Sequence, residues 1–498
     1  MTGAIWQALP LYVILTSLLT AVAIFLLGEN RQRARTVLNL IGAVVKLVLI
    51  LIMLLAVQAG FGFEFRVALL PGVDLLLKAD RLTMLFSALS AILWLVTTVY
   101  AIGYLEQSPN RARFFGFFSL CVAATMGVAT AGNLFTFFIF YELLTLATWP
   151  LVVHRGTPEA FAAGRVYLGY TLVGGALILI GIVSLHAITG GQDFILGGTL
   201  EPFAADNRTA LQAVFVILML GFGVKAALIP MHSWLPQAMV APAPVSALLH
   251  AVAVVKAGAF GLVRLVQDVY GHDLTSQLGL DTVLAWAAAA TVLFGSVMAL
   301  LQSDLKRRLA YSTVSQVSYI ALGVAIGGPL ATIGGLVHLV HQGLTKITLF
   351  FCAGNYAEGL HIHDIRDLDG LGERMPATSV CFTLGALGMI GAPPLAGFVT
   401  KWHLGAGAIA ADASWVIPVL AASTLLNAAY FLPLVHRLWF RPLPAAMADR
   451  VQELRGGRAL ALVGPTAITA VAALGAGLLA GLPLSPLFWV TRMVVGDP

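Results

Sequence analysis

Residues 221–258 read GFGVKAALIPMHSWLPQAMVAPAPVSALLHAVAVVKAG. Lys225, His250 and Lys256 stand there among apolar residues, and Pro230, Pro236, Pro242 and Pro244 break the run. Further along, HLVHQGLTK contributes His338, His341 and Lys346, and GAPPLAGFVTKW contributes Pro393, Pro394 and Lys401. Upstream, NLFTFFIFYE ends on Glu142. An ionisable side chain at bilayer depth costs about 2.5–3.5 kcal/mol on insertion scales. Four lysines, a glutamate and several histidines together imply a polar path inside the protein. Histidine, with an unperturbed pKa near 6.5, suits a proton relay between lysines.

The elements that hold these residues follow from composition. The 498-residue chain is 59% hydrophobic and 10% charged, with a mean hydropathy of +0.92, where soluble domains carry about 25% charged residues. Apolar runs of about 20 residues, the length that crosses a hydrocarbon core, recur from end to end. The expected fold is an all-α polytopic membrane protein of about fourteen transmembrane helices. Spans seven, near 210–245, and twelve, near 376–408, are too long for straight helices and hold the proline clusters. Proline removes a donor and clashes with the preceding turn, so both are expected to be broken. Unwound backbone at this depth must line protein or water, which predicts a wet pocket beside Lys225.

Basic residues support the count. Loops after odd spans hold Arg31, Arg33, Arg35, Arg111, Arg113, Arg155, Arg165, Lys306, Arg307, Arg308, Arg366, Arg374, Arg437, Arg441, Arg450, Arg455 and Arg458. The opposite side holds only Arg66, Lys78, Arg81, Arg208 and Arg492. By the positive-inside rule the odd loops face the cytoplasm and both termini face outward. Lys46 and Arg264 are expected to snorkel. SDLKRRLAYST and HIHDIRDLDGLGERMP read as solvated, topology-setting loops, with His361 and His363 at the surface. The N-terminus lacks a signal-peptide pattern, so the first run reads as a genuine span.

Pairing between Glu142 and Lys225 would favour their charged forms while burial favours the neutral ones, making a bistable element; a static ion pair is the plainer alternative. His250 and Lys256, six residues apart, do not share a face of an ideal helix. His338 and His341 are i,i+3 neighbours, and Lys346 falls on the same broad face. A helical zinc site needs i,i+4 histidines and a third ligand, so no metal is expected. Lys401, just beyond the second break, can end a path toward one surface, with Thr400 and His403 in support. The distant Cys121, Cys352 and Cys381 form no CxxC, and no phosphate, dinucleotide or haem motif occurs, so no cofactor is expected. No redox or hydrolytic site of the chain's own is expected.

FIFYELLTLATWPLV, the 221–258 stretch, LKRRLAYSTVSQVSY, HLVHQGLTKITLFFCAG and GAPPLAGFVTKW resemble the antiporter-like proton-translocating subunits. Respiratory complex I, Mrp-type cation/proton antiporters and membrane-bound hydrogenases share that family. The resemblance implies proton translocation by Glu142, Lys225, Lys256, Lys346 and Lys401, relayed through His250, His338 and His341, with breaks at Pro230, Pro236, Pro393 and Pro394. The proline clusters of spans seven and twelve, an odd five spans apart, point to two inverted five-helix repeats (111–275 and 276–440) between an N-terminal three-helix segment (1–110) and a loop with a last helix (441–498). About fifteen residues follow span fourteen, so the lateral helix of the largest complex I member is not expected. The mid-sized, D-type member of the Mrp antiporters is the expected kind; a complex I-like or hydrogenase subunit is the alternative, and a stand-alone solute carrier a third. Expected partners are other integral membrane subunits, the lipid bilayer of the cell inner (plasma) membrane, protons and either Na+ or K+, with no nucleic acid.

Overall fold

The structure is a computed structural model that describes residues 2–106, 108–191, 193–445 and 456–496; Arg450 and Arg455 lie outside these. Among the described residues thirteen helices are long and apolar enough to cross a membrane. They are α1 (Leu9–Leu27), α2 (Gln32–Gln58), α3 (Arg81–Tyr104), α4 (Arg111–Thr130), α5 (Leu134–Val152), α6 (Pro158–Thr189), α7 (Ala204–Ala226), the pair α8 (Ala243–Ala251) and α9 (Val254–Arg264), α10 (Leu280–Leu300), α11 (Leu305–Ile326), α12 (Gly328–Leu360), then, beyond span twelve, α15 (Val416–Phe440) and α16 (Gly456–Leu478). Span twelve itself is split into α13 (Pro376–Ile390) and α14 (Ala396–Ala410), and a short α17 (Pro486–Val495) follows. Rows of exposed apolar side chains, such as Val37, Ile41, Val44, Val48, Leu51 and Leu55 on α2, fit helices solvated by lipid.

Three features depart from the sequence expectations. Span seven is helical only to Ala226; a turn at 227–233 leads to a short helix, Trp234–Gln237, so Pro230 sits in the break while Pro236 lies in that helix. Span eight is interrupted too, between α8 and α9 at residues 252–253, and α9 runs on into a π-turn over Leu265–Tyr270. Finally, β1 (Phe63–Leu70) and β2 (Val73–Ala79) form an antiparallel hairpin closed at Gly72, whose φ of +76° suits glycine.

The chain divides into two compact units. The first comprises residues 1–95, 110–234 and 252–287, the second 96–109, 235–251 and 288–498. In the first, β2 anchors the helix that bears Glu142: Leu76 donates its N–H to Thr136 Oγ1 at 2.8 Å, and Asn133 caps α5 by accepting from Thr136 N. Helices approach closely through small residues, the usual solution where lipid supplies no hydrophobic drive. A Cβ on Gly258 of α9 would lie 2.2 Å from Ala226 N and 2.6 Å from Lys225 C, so α9 touches the backbone at the end of α7.

In the second unit α12 is buried from Ala331 to Tyr356 and packs against α8, α11, α13, α14 and α16. Its loops are tied together. Leu305 N donates to His363 O and Ile365 N to Ser303 O, both at 2.9 Å. Arg308, read as a solvated topology residue, is buried; its guanidinium donates to the carbonyls of Leu300, Gln302 and Tyr430. Lys306 likewise binds Ala241 O at 2.7 Å. Of these carbonyls, Leu300 O ends α10 and has no intrahelical donor.

Candidate functional site: buried amines at broken helices

In the first unit, α7 ends by placing Lys225 against α5. The lysine is fully buried, donates a hydrogen bond to the Tyr141 carbonyl, and lies 3.3 Å from the centroid of the Tyr141 ring. Glu142 follows Tyr141 on α5, its carboxylate packed over Gly175 of α6, where a Cβ would meet Oε1 at 2.5 Å. Each charge acts on the other, yet no direct ion pair joins them. The expected pair is thus two groups separated by a peptide unit. Two carbonyls near the break are taken up by protein: Leu228 N donates to Gly223 O, and Trp234 Nε1 to Val224 O at 2.8 Å. Pro230, in the turn that follows, is exposed. Lys256, also fully buried, stands two residues before the Gly258 contact with α7.

Arg264 does not snorkel. It is 2% exposed, with Nη1 donating to Asp80 at 2.8 Å and Asp268 at 2.7 Å, and Nη2 to Asp80 at 3.0 Å and Thr83 at 2.9 Å. Burial raises the Asp80 carboxyl, but the Arg264 charge and the Arg264 and Thr83 hydrogen bonds outweigh it and hold the pKa at about 2. Lys46 does not snorkel either: it is fully buried. At the hairpin, hydrogen bonds to Asp193 and Asp74 hold the Arg66 guanidinium well above its ordinary pKa. A cavity of about 520 Å³ beside it is lined by Arg66, Asp74, His186 and Asp193 among others.

In the second unit a lysine binds backbone freed at a helix break. Lys401 of α14, partly buried, folds back to donate to Ile390 O, the last carbonyl of α13, at 2.7 Å, and to Thr424 Oγ1 at 2.8 Å. Asn427 satisfies Met389 O beside it at 3.1 Å. Pro393 and Pro394 lie in the turn between the two half-helices. Thr400 supports the histidines and not Lys401: its Oγ1 lies 3.0 Å from His341 Nδ1 and 3.3 Å from His338 Nδ1. One hydroxyl can donate once and accept twice, so it can link both rings. The ring of Tyr319 on α11 lies 5.2 Å from His338, and its hydroxyl donates to Ser423 at 2.8 Å. His403 turns back to its own helix at Val399 O.

Lys346 parts from its histidine neighbours on α12. They face α14, whereas its Nζ donates to Leu309 O and Ser312 Oγ on α11. His250 stacks on Phe350 of α12 at 4.5 Å and lies within the field of Lys346. Buried amines and imidazoles tied to hydroxyls and carbonyls, with few carboxylates, can bind and hand on protons.

Residues 131–427 match the family described as NADH:quinone oxidoreductase/Mrp antiporter, TM, and residues 72–115 match the N-terminus of NADH-ubiquinone oxidoreductase (complex I) chain 5. The chain belongs to the NADH:quinone oxidoreductase/Mrp antiporter family. NADH-quinone oxidoreductase subunit N of Desulforudis audaxviator is 37% identical over 76% of this chain and 75% of its own length. A probable K(+)/H(+) antiporter A/B component of Rhizobium meliloti is 31% identical over 80% of this chain, which spans only 40% of that protein. Hydrogenase-4 component B of Escherichia coli is 32% identical over 80% of this chain and 60% of its own. Two solved structures share the fold at 24% identity: the Mrp complex from Dietzia sp. DQ12-45-1b, with a TM-score of 0.84 over 100% of this chain and 98% of that one, and an archaeal membrane-bound sulfane sulfur reductase, at 0.83 over 100% and 97%. These relatives are named as parts of larger assemblies, and the two solved structures are complexes.

Tyr141, Ser312, Tyr319, Phe350 and Thr424 did not stand out in the sequence. One signal was available: Ser312, Ser315 and Tyr319 form an i, i+3, i+7 polar stripe on α11, which periodicity alone can reveal.

Proposed function

We propose that this chain is the proton-translocating subunit of a multi-subunit cation/proton antiporter or a related ion-pumping complex. Protons would move through Glu142, Lys225, Lys256, Lys346 and Lys401, with His250, His338 and His341 as relays. The observation that carries this reading is the setting of Lys225, Lys346 and Lys401: each bonds a backbone carbonyl, Lys346 and Lys401 bond a hydroxyl as well, and none bonds a carboxylate. A lysine held by neutral partners keeps hydrogen bonds whether or not it carries its proton, as a carrier of protons must. On this reading the chain holds two inverted five-helix repeats, 111–275 and 276–440, sits in the cell inner membrane beside other integral subunits, and turns both termini outward. Inverted repeats with broken helices are a common way to build a midplane pathway.

A second reading, a proton-pumping subunit of a complex I-like quinone oxidoreductase or hydrogenase, is favoured by the 37% identity to a subunit N over three quarters of both chains. The two share the site and differ in what drives it. Lys225→Met or Glu142→Gln should abolish ion-coupled proton movement in vesicles while the complex still assembles. Wild-type transport by both variants would overturn the reading.

A further inference from the structure

Lys46 stands outside every group placed so far. It lies on α2, fully buried, with Nζ 3.2 Å from the centroid of the Trp94 ring of α3. Among the described residues its ammonium meets no hydrogen-bond acceptor. The helices around it, α1 to α4, carry no aspartate or glutamate at all. Their titratable or charged groups are Tyr12 on α1, Arg33 and Arg35 on α2, Arg81, Tyr100 and Tyr104 on α3, and Arg111, Arg113 and Cys121 on α4. A salt bridge therefore does not account for this lysine, and an apolar side chain of similar length would fill the site without the cost of a buried charge. An ionisable residue kept at such depth is a functional candidate in its own right.

Its surroundings form a polar file. The buried face of α2 runs Arg35, Asn39, Gly42, Ala43 and Lys46, while the opposite face is aliphatic and exposed. Asn39 and Arg35 lie about 10 and 16 Å below Lys46 along the axis at 1.5 Å per residue. Asn39 Nδ2 donates to Arg35 O at 3.0 Å, and Asn39 Oδ1 accepts from Ser119 of α4 at 3.3 Å. A Cβ on Gly42 would fall 2.3 Å from Thr20 Oγ1 on α1, so that hydroxyl lies one turn before Lys46. Because α1 and α2 pack as an antiparallel hairpin, the step from Gly42 to Lys46 matches the step from Thr20 back to Ser17. Ser17 is buried, and its hydroxyl meets no protein partner. On α3, Ser87, Ser90 and Trp94 share one face by i, i+3, i+7 spacing, and both serine hydroxyls are likewise buried without a protein partner. At the far end Arg35 donates to Gly28 O and Glu29 O, with the Glu29 carboxylate 3.7 Å away.

We propose that Lys46 is a proton-binding residue of a second polar file, separate from Glu142 and Lys225 and loaded from the Glu29–Arg35 end. A proton enters from solvent there, resides on the Lys46 amine over the Trp94 ring, and leaves it neutral on moving on; only N–H and O–H bonds form and break. The proposal rests on the proton-transport reading, and one experiment separates their failures. Vesicles holding the whole complex are assayed for proton uptake with a pH-sensitive dye across a pH range, with assembled complex quantified in each. K46M should slow uptake by about tenfold or more, the order expected on losing one proton-transferring group. K46H, whose free side chain titrates about four units lower, should transport with its pH optimum moved down by about one unit or more. N39L should slow uptake several-fold without moving the optimum. K46M with the wild-type rate and profile overturns the proposal; if K46M does not assemble, K46H with the wild-type profile overturns it. K225M in the same vesicles reports on the proton-transport reading alone, whatever Lys46 does.

Discussion

The contact between Gly258 and the end of α7 makes Gly258→Ala a sharp perturbation that changes no titrating group. The added methyl would lie 2.2 Å from Ala226 N, 2.6 Å from Lys225 C and 2.8 Å from Phe222 O, all main-chain atoms. Moving the shortest contact out to about 3.4 Å, where ordinary van der Waals contact begins, requires about 1.2 Å of separation between α9 and α7. Overpacking of this kind typically costs about 1–3 kcal/mol. The displacement falls on Lys225 itself and lifts its ammonium from the Tyr141 carbonyl. A misplacement of about 1 Å can lower a positioned reaction about 100-fold. We expect G258A to cut dye-monitored proton uptake by one to two orders of magnitude while assembled complex falls far less. Gly169 on α6 has nothing within 4 Å of its would-be Cβ, so G169A is the control and should transport normally. Assembled G258A complex with wild-type uptake would show that the Lys225 position is not what the close packing protects.

Two further outcomes follow from the geometry. T400V removes the hydroxyl shared by His338 and His341 and should lower proton uptake by about tenfold, while T400S restores it; equal rates for T400V and wild type would refute the link. Asp80, held at a pKa of about 2 against an ordinary 3.8, stabilises the folded chain above the ordinary value and loses that contribution as pH falls from near 4 through 2. The detergent-solubilised complex should therefore show a melting temperature sensitive to D80N at neutral pH, with the gap between variant and wild type closing by about pH 2.

Much of the site was legible because depth made it so. Lys225, Lys256, Lys346 and Glu142 stood out as charges inside apolar runs, and Pro230 and Pro393–Pro394 marked interruptions that proline chemistry dictates. What each lysine holds was not legible. Tyr141 contributes its carbonyl, which has no side-chain signature, and Lys401 reaches Ile390 O only because the chain folds back on itself. The interruption of span eight falls in AVAVVK, without proline or glycine; Ala253 departs from helical geometry at φ −105°, ψ −84° for tertiary reasons no local pattern carries. Lys46 was misread because snorkelling was judged by distance to the helix end, when the packing of four helices decides it. Arg308 was misread because charge near a loop was equated with solvation. The hairpin at 63–79 escaped a reading tuned to hydropathy, although Pro71–Gly72 was a turn signal in plain view.

The stitching of residues 303–308 to 363–365 in the second unit has a mechanical consequence. Two main-chain bonds and the Arg308 fork pin the ends of α10 and α11 to the loop leaving α12 and to α15, so a rocking motion at that rim would tear several of them at once. The rim is thereby braced, and the neighbouring bonds of Thr400 and Lys401 can be exchanged by side-chain rotation alone, on the timescale of rotamers and not of moving domains.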